Sequence, residues 1–242
     1  MNPRNAVEFD GVLVVDKPSG MTSHDVVAIA RKYLGVRKIG HCGTLDPLAT
    51  GLLLLVLGRG TKIQDLLMSE DKEYAGTMVL GATTSTQDKD GEITETRPVP
   101  DLDRAQIEDA FRKFEGDFYQ TPPMVSAIKK DGVPLYKLAR KGVTVEREPR
   151  FVHVYASEIQ EIRLPEIDFR VVCSKGFYVR TYAHDIGETL GCGAHLKALR
   201  RLKSGRFDLS RAVPVDEIKQ GDPRAILARA LSLPEVSRLR GA

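Results

Sequence analysis

The chain has 242 residues, of which 42% are hydrophobic and 29% charged, and its net charge is +3. That length holds one large domain or two modest ones, and the hydrophobic share excludes disorder along the whole chain. A charge of this size does not by itself indicate a nucleic-acid partner.

Gly11 to Val15 is a short β-branched apolar run that ends at Asp16-Lys17-Pro18-Ser19-Gly20, the pattern of a buried strand leaving into a turn. Ser23 is expected to cap a helix reaching about Leu34, with Val26, Ile29, Ala30, Tyr33 and Leu34 on one face and Gly35 as its stop. The segment Gly40 to Gly51 is too rich in Gly and Pro for regular structure, whereas Leu52 to Leu57 reads as a central strand. Thr61 to Met68 predicts a short helix, Lys72 to Leu80 a strand, and Asp88 to Gly91 a turn. Asp103 with Gln106 forms a capping-box pattern that opens a helix carrying Ile107, Ala110, Phe111 and Phe114 inward, with Gly116 as its stop. Pro122-Pro123 breaks the chain, Ser126 to Gly132 suggests a hairpin, and Pro134 to Lys141 a helix. Phe151 to Ile162 and Ile167 to Cys173 read as paired strands, Val179 to Leu190 as a helix, and Asp222 to Ala242 as one amphipathic helix and a tail. Without a steady βαβ rhythm, these elements predict an α+β fold with a mixed, largely antiparallel sheet.

Charge is segregated along the chain. Lys129 to Arg150 holds seven Lys or Arg against Asp131, Glu146 and Glu148, and His195 to Arg206 holds five with no acid. Ser85 to Gln120 reverses this, with ten acidic residues against five basic. Such a chain can present a basic face to phosphates, although solvated helix faces give the same pattern. Cys42, Cys173 and Cys192 form no CxxC pair, the five histidines show no zinc spacing, and no apolar run is long enough to cross a bilayer. No signal peptide stands at the start, so the cytoplasm is the expected compartment.

One segment has the composition of a site. In Gly43-Thr-Leu-Asp46-Pro-Leu-Ala-Thr-Gly51 the glycines allow close approach of a ligand, and Pro47 biases Asp46 toward extended geometry. The apolar run that follows would anchor the loop. On these residues alone a plain Asp-Pro turn is the simpler reading.

The wider pattern adds to this. Gly40-His41-Cys42-Gly43-Thr44-Leu45-Asp46-Pro47-Leu48-Ala49-Thr50-Gly51 resembles the signature of the TruB family of tRNA pseudouridine-55 synthases. Val15 to Ser23 is similar to that family's N-terminal motif, and Lys72-Glu73-Tyr74 to its tyrosine-bearing strand. Gln120 to Lys129 with Gly132 and Leu135-Tyr136 resembles its central insertion. Ser174 to Thr181, Gly191 to His195, and Leu199-Arg200-Arg201-Leu202 complete the set in family order. Cys42 stands where many members have Thr, and few residues follow Val215 where members often carry a PUA-type RNA-binding domain.

The resemblance implies a catalytic domain over about 9–218, with an insertion at about 120–150, followed by a C-terminal helix and tail at 219–242. It implies a pseudouridine synthase acting without metal or organic cofactor on a uridine flipped out of the tRNA T arm. Asp46 is then the catalytic carboxylate, Tyr74 stacks on the uracil, and Arg180 pairs with Asp46 and keeps it ionised. His41 helps to hold the flipped arrangement, Tyr178 and Leu199 line the uridine pocket, and Lys17 supports the loop within reach of a phosphate. Lys129, Lys137, Arg140 and Lys141 are expected to contact the RNA backbone, giving salt-dependent affinity. A monomer with no obligatory protein partner is expected. Ordinary alternatives exist for each residue: a packed histidine at His41, a strand tyrosine at Tyr74, core positions at Tyr178 and Leu199, a surface arginine at Arg180 and a solvated lysine at Lys17. Alternatives for the whole chain are an RNA chaperone without activity, a synthase for another RNA uridine, and a small-molecule enzyme with an aspartyl nucleophile.

Overall fold

The computed structural model describes residues 8–126, 128–130, 132–139, 143 and 145–241. The chain forms two compact units, one built from residues up to Glu73 and from Arg200 onward, the other from Tyr74–Leu199. The first opens with β1 (Gly11–Lys17), α1 (Ser23–Leu34), β2 (Ile39–Cys42), β3 (Thr50–Leu57), a 3-10 turn (Gly58–Ile63) and α2 (Gln64–Met68). The chain crosses to the second unit within β4 (Lys72–Leu80) and continues through β5 (Ala82–Thr84), β6 (Ile93–Thr96), α3 (Arg104–Arg112) and β7 (Gly116–Gln120). There follow β8 (Lys129–Lys130), β9 (Val133–Pro134), α4 (Leu135–Ala139), β10 (Arg150–Arg163), β11 (Glu166–Cys173) and α5 (Val179–Thr189). It returns within β12 (Ala194–Ser204), then forms β13 (Phe207–Asp208), β14 (Val213–Pro214), α6 (Val215–Gln220), α7 (Pro223–Ala228), β15 (Leu231–Ser232) and α8 (Leu233–Arg240).

In the first unit β3 is central. Its six-residue run Leu52–Leu57 is fully buried, as a strand covered on both faces should be. Each such leucine contributes about 1.5–3 kcal/mol by leaving water. β1 pairs with it antiparallel from Gly11↔Leu57 to Lys17↔Gly51; β2 pairs antiparallel along its other edge, and β12 parallel at Arg200↔Thr50 and Arg201↔Gly51. One face gathers Val12, Val14, Cys42, Leu52, Leu54, Val56, Leu67 and Phe207 into a core. β1 also pairs with β14 and β15, so the residues expected to form a separate C-terminal helix and tail are instead two helices joined by a strand that adds to β1 at Val12↔Leu231. That tertiary pairing interrupts the amphipathic pattern on which a single helix was expected.

The second unit orders its long strands β4-β11-β10-β7, with α3 and α5 supplying a cluster of rings. Phe111, Phe169 and Tyr182 meet edge to face at 5.8–5.9 Å, a favoured aromatic geometry. The Asp103–Gln106 capping box forms as expected. The two units together give an α+β construction whose strand pairs are mostly antiparallel, as the sequence predicted. No described helix is long and apolar enough to cross a membrane.

Several local features depart from expectation. Thr22, not Ser23, caps α1, through a capping box with Asp25; the Ser23 hydroxyl is used elsewhere. Val27 rather than Tyr33 belongs to the buried face of that helix. The segment expected to be irregular from Gly40 carries strand β2 as far as Cys42, with His41 opposite Leu55. Leu199 and its basic neighbours, to which sequence reading assigned no element, lie on strand β12.

Candidate active site

The expected site residues divide between the units. Lys17, His41 and Asp46 belong to the first, and Tyr74, Tyr178, Arg180 and Leu199 to the second.

In the first unit Asp46 sits half-buried on the loop joining β2 to β3. Irregular backbone needs partners from elsewhere, and this loop has them on both sides. The Ser23 hydroxyl accepts from the Leu45 amide at 2.9 Å and donates to the Leu45 carbonyl at 3.2 Å. The Gly20 amide donates to the Pro47 carbonyl at 2.8 Å, and the Ser19 hydroxyl to the Leu48 carbonyl at 3.1 Å. The loop also closes on itself, the Ala49 amide donating to the Asp46 carbonyl at 3.0 Å. None of these bonds uses the Asp46 carboxylate.

Lys17 is fully buried at the end of β1. Its ammonium donates to the carbonyls of Met21 at 2.7 Å, Pro18 at 2.9 Å and Pro47 at 3.4 Å. Three acceptors match its three N–H bonds, so neither a solvated lysine nor a phosphate contact describes it; it ties the first turn to the Asp46 loop. Burial pushes its pKa down to about 8, with the Asp46 charge pulling it back up and Arg201 pushing it down further. His41 meets His24 edge to face at 5.0 Å, and its Nδ1 is buried without a hydrogen-bond partner among the described residues. Burial, then the neighbouring His24 and Arg201, hold its pKa at about 4, so the ring is neutral at physiological pH.

In the second unit Arg180 follows the first residue of α5 and is only 3% exposed, which rules out the surface-arginine alternative. It donates to the Thr86 and Val125 carbonyls, each at 2.8 Å, and its Nε lies 3.7 Å from Asp88 Oδ2. Asp88 is itself buried, and its carboxylate accepts from the Thr86 hydroxyl and the Asp90 amide. Tyr178 precedes α5 as its N-cap, and its backbone is held twice by buried Gln120: Tyr178 N donates to Oε1 at 2.8 Å, and Nε2 donates to Tyr178 O at 3.1 Å. Tyr74 on β4 and Leu199 on β12 are both buried side chains.

Lys129 lies on β8 and Lys137 on α4; Arg140 and Lys141 lie outside the described residues. No cluster of three or more His, Cys, Asp or Glu side chains with metal-binding geometry occurs among the described residues. Sequence reading gave Ser23 only a helix cap and Asp88 only a turn, and gave Gln120 and Arg201 no role of their own, although all four are buried. Their types are common on surfaces, and only their burial marks them.

Residues 31–179 match a family model described as TruB family pseudouridylate synthase (N terminal domain), and residues 180–228 match one described as tRNA pseudouridylate synthase B C-terminal domain. The chain is 55% identical over 231 residues to a tRNA pseudouridine synthase B of Opitutus terrae, covering 96% of this chain and 92% of that one. It is 50% identical over 230 residues to the protein of that name from Syntrophotalea carbinolica, covering 95% and 75%. Among solved structures it resembles a chain of a Cbf5-Nop10-Gar1 complex, with TM-score 0.72 and 31% identity over 95% of this chain, and spans 62% of that longer chain.

Proposed function

The chain belongs to the TruB family of pseudouridylate synthases, and from that premise we propose that it isomerises uridine 55 in the T arm of tRNA, with Asp46 as its catalytic carboxylate. The bond from N1 of the uracil to C1′ of its ribose breaks, the base turns, and a bond from C5 to C1′ replaces it. The C5 proton is released and N1 gains one, so no oxidant or reductant is needed. A carboxylate suits this work as a nucleophile or as a stabiliser of charge developing at the sugar.

The observation that carries the reading is how Asp46 is presented. Its loop is fixed through main-chain bonds at Leu45, Asp46, Pro47 and Leu48, and its side chain is half-buried at the middle of that loop. A fixed backbone that presents a carboxylate in one geometry is what positioning catalysis requires. Arg180 is proposed as the fixed cation of the site, its guanidinium plane set by two carbonyls. Tyr74, Tyr178 and Leu199 are proposed to receive the flipped uracil, neutral His41 to pack against the flipped arrangement, and Lys129, Lys137, Arg140 and Lys141 to hold the RNA backbone. The proposed setting is the cytoplasm and the proposed working form a monomer; Cys42, Cys173 and Cys192 are all buried.

An unmodified T-arm hairpin incubated with the protein tests this. Pseudouridine at the position equivalent to 55 is the expected product. Tight binding with no product would favour a chaperone, and product only on another RNA would move the target.

A further inference from the structure

We propose that Arg201 is a positioning residue for Asp46, its guanidinium holding together the two ends of the loop that carries the carboxylate. The inference rests on the reading of Asp46 as catalytic and adds a residue to which that reading gives no role.

Arg201 is 1% exposed, the largest side chain buried to that degree. Its Nε donates to the Leu52 carbonyl at 2.7 Å and its Nη2 to the Gly43 carbonyl at 3.1 Å. Gly43 is where the chain leaves β2, and Leu52 lies just inside β3. One planar group therefore spans the mouth of the segment containing Asp46. The backbone of the same residue closes in as well. Gly51 has φ +97°, and a Cβ there would lie 2.3 Å from the Arg201 carbonyl oxygen, so β3 and β12 meet at a distance only glycine permits. A Cβ on Gly43, at φ +79°, would lie 3.3 Å from Arg201 Nη1. Burying a cation against main-chain carbonyls is costly, and an apolar side chain would fill the same volume more cheaply. What an arginine adds is direction: two donors on a rigid fork, each aimed at a different carbonyl. The single ammonium of lysine cannot reproduce that.

Arg201→Lys keeps the charge and removes the fork. Measured at a temperature where both proteins are fully folded, its single-turnover rate on the T-arm hairpin should fall by about 100-fold, the effect of misplacing a catalytic group by about 1 Å. The dissociation constant for the hairpin should stay within about twofold, because phosphate contacts set affinity. Gly43→Ala approaches the same bridge from its other end, keeps Arg201, and should show the same split between rate and affinity; it carries the test alone if Arg201→Lys does not fold. An unchanged rate in either folded variant, or a loss of affinity equal to the loss of rate, overturns the proposal. So does a rate loss that only tracks the unfolded fraction. Absence of product with the unsubstituted protein would instead overturn the reading of Asp46 as catalytic, so the two failures are distinguishable.

Discussion

Two irregular segments, one in each unit, are made rigid in opposite ways. The loop around Asp46 is held from outside, by Ser19, Gly20, Ser23, Lys17 and Arg201, all distant in sequence or across a turn. The turn at Thr84–Gly91 is held largely from within. There the Thr84 hydroxyl donates to the Asp88 carbonyl at 2.6 Å, the Thr86 hydroxyl to the Asp88 carboxylate at 2.5 Å, and the Gln87 amide to the Thr84 carbonyl at 3.0 Å. Arg180 and Thr181 of α5 and the Leu196 backbone of β12 then fasten the finished turn, Thr181 through the side chain of Gln87, which has φ 63°. A loop held from outside through its main chain presents its side chains in a fixed geometry. A turn held from within spends its side chains on itself.

The sharpest way to break this comparison is Asp46→Asn. The variant should lose no more stability than the attraction its charge offers the Lys17 ammonium, and should keep its affinity for the T arm. Turnover should fall by more than about 10³-fold, as when an essential catalytic group is removed. A calorimetric drop as large as that expected for Arg180→Ala would show that the loop leans on its own side chain after all. Arg180→Ala makes the opposite test. It leaves the Thr86 and Val125 carbonyls and the Asp88 carboxylate buried beside an empty volume, and losing one partner of a buried charge pair costs about 3–5 kcal/mol. Urea denaturation should show that loss together with a greatly reduced rate. If stability is unchanged, the turn is self-sufficient and α5 adds nothing to it.

The same contrast explains what was legible in the sequence. The turn at Asp88–Gly91 and the capping box at Asp103–Gln106 could be read because their partners lie within a few residues. β3 could be read because six consecutive apolar side chains have few other uses. β12 could not, since Lys197, Arg200, Arg201 and Lys203 gave it the composition of a surface, and its strand character comes from pairing with Thr50 and Gly51, some 150 residues away. Asp46 stood out through the glycines and proline around it and through a family motif. Its braces did not, because a serine that caps nothing and a lysine that meets no solvent look ordinary in one dimension. Lys17 was read as a loop support within reach of a phosphate, and its burial against three carbonyls fits the first part of that reading and not the second.

Lys17 also yields the smallest expected effect, and one that isolates a single brace. Its folded pKa of about 8 lies below the ordinary 10.5, so between those values the unfolded chain binds more protons than the folded one, and stability must rise with pH across that window. The cost of burying the charge is fully present below the folded value and disappears as pH passes the unfolded one. Lys17→Met lacks this titration. The stability difference between the two proteins should therefore move in favour of lysine by at most about 3 kcal/mol between about pH 8 and 10.5, read from urea midpoints at several pH values. The neutral amine still offers two N–H bonds to three carbonyls, so the observed gain should fall short of that limit. Because the Asp46 charge holds the lysine's pKa up, the window in Asp46→Asn should begin at lower pH. A flat difference curve would mean that the ammonium keeps its water, and that the outside bracing of the loop is weaker by one member.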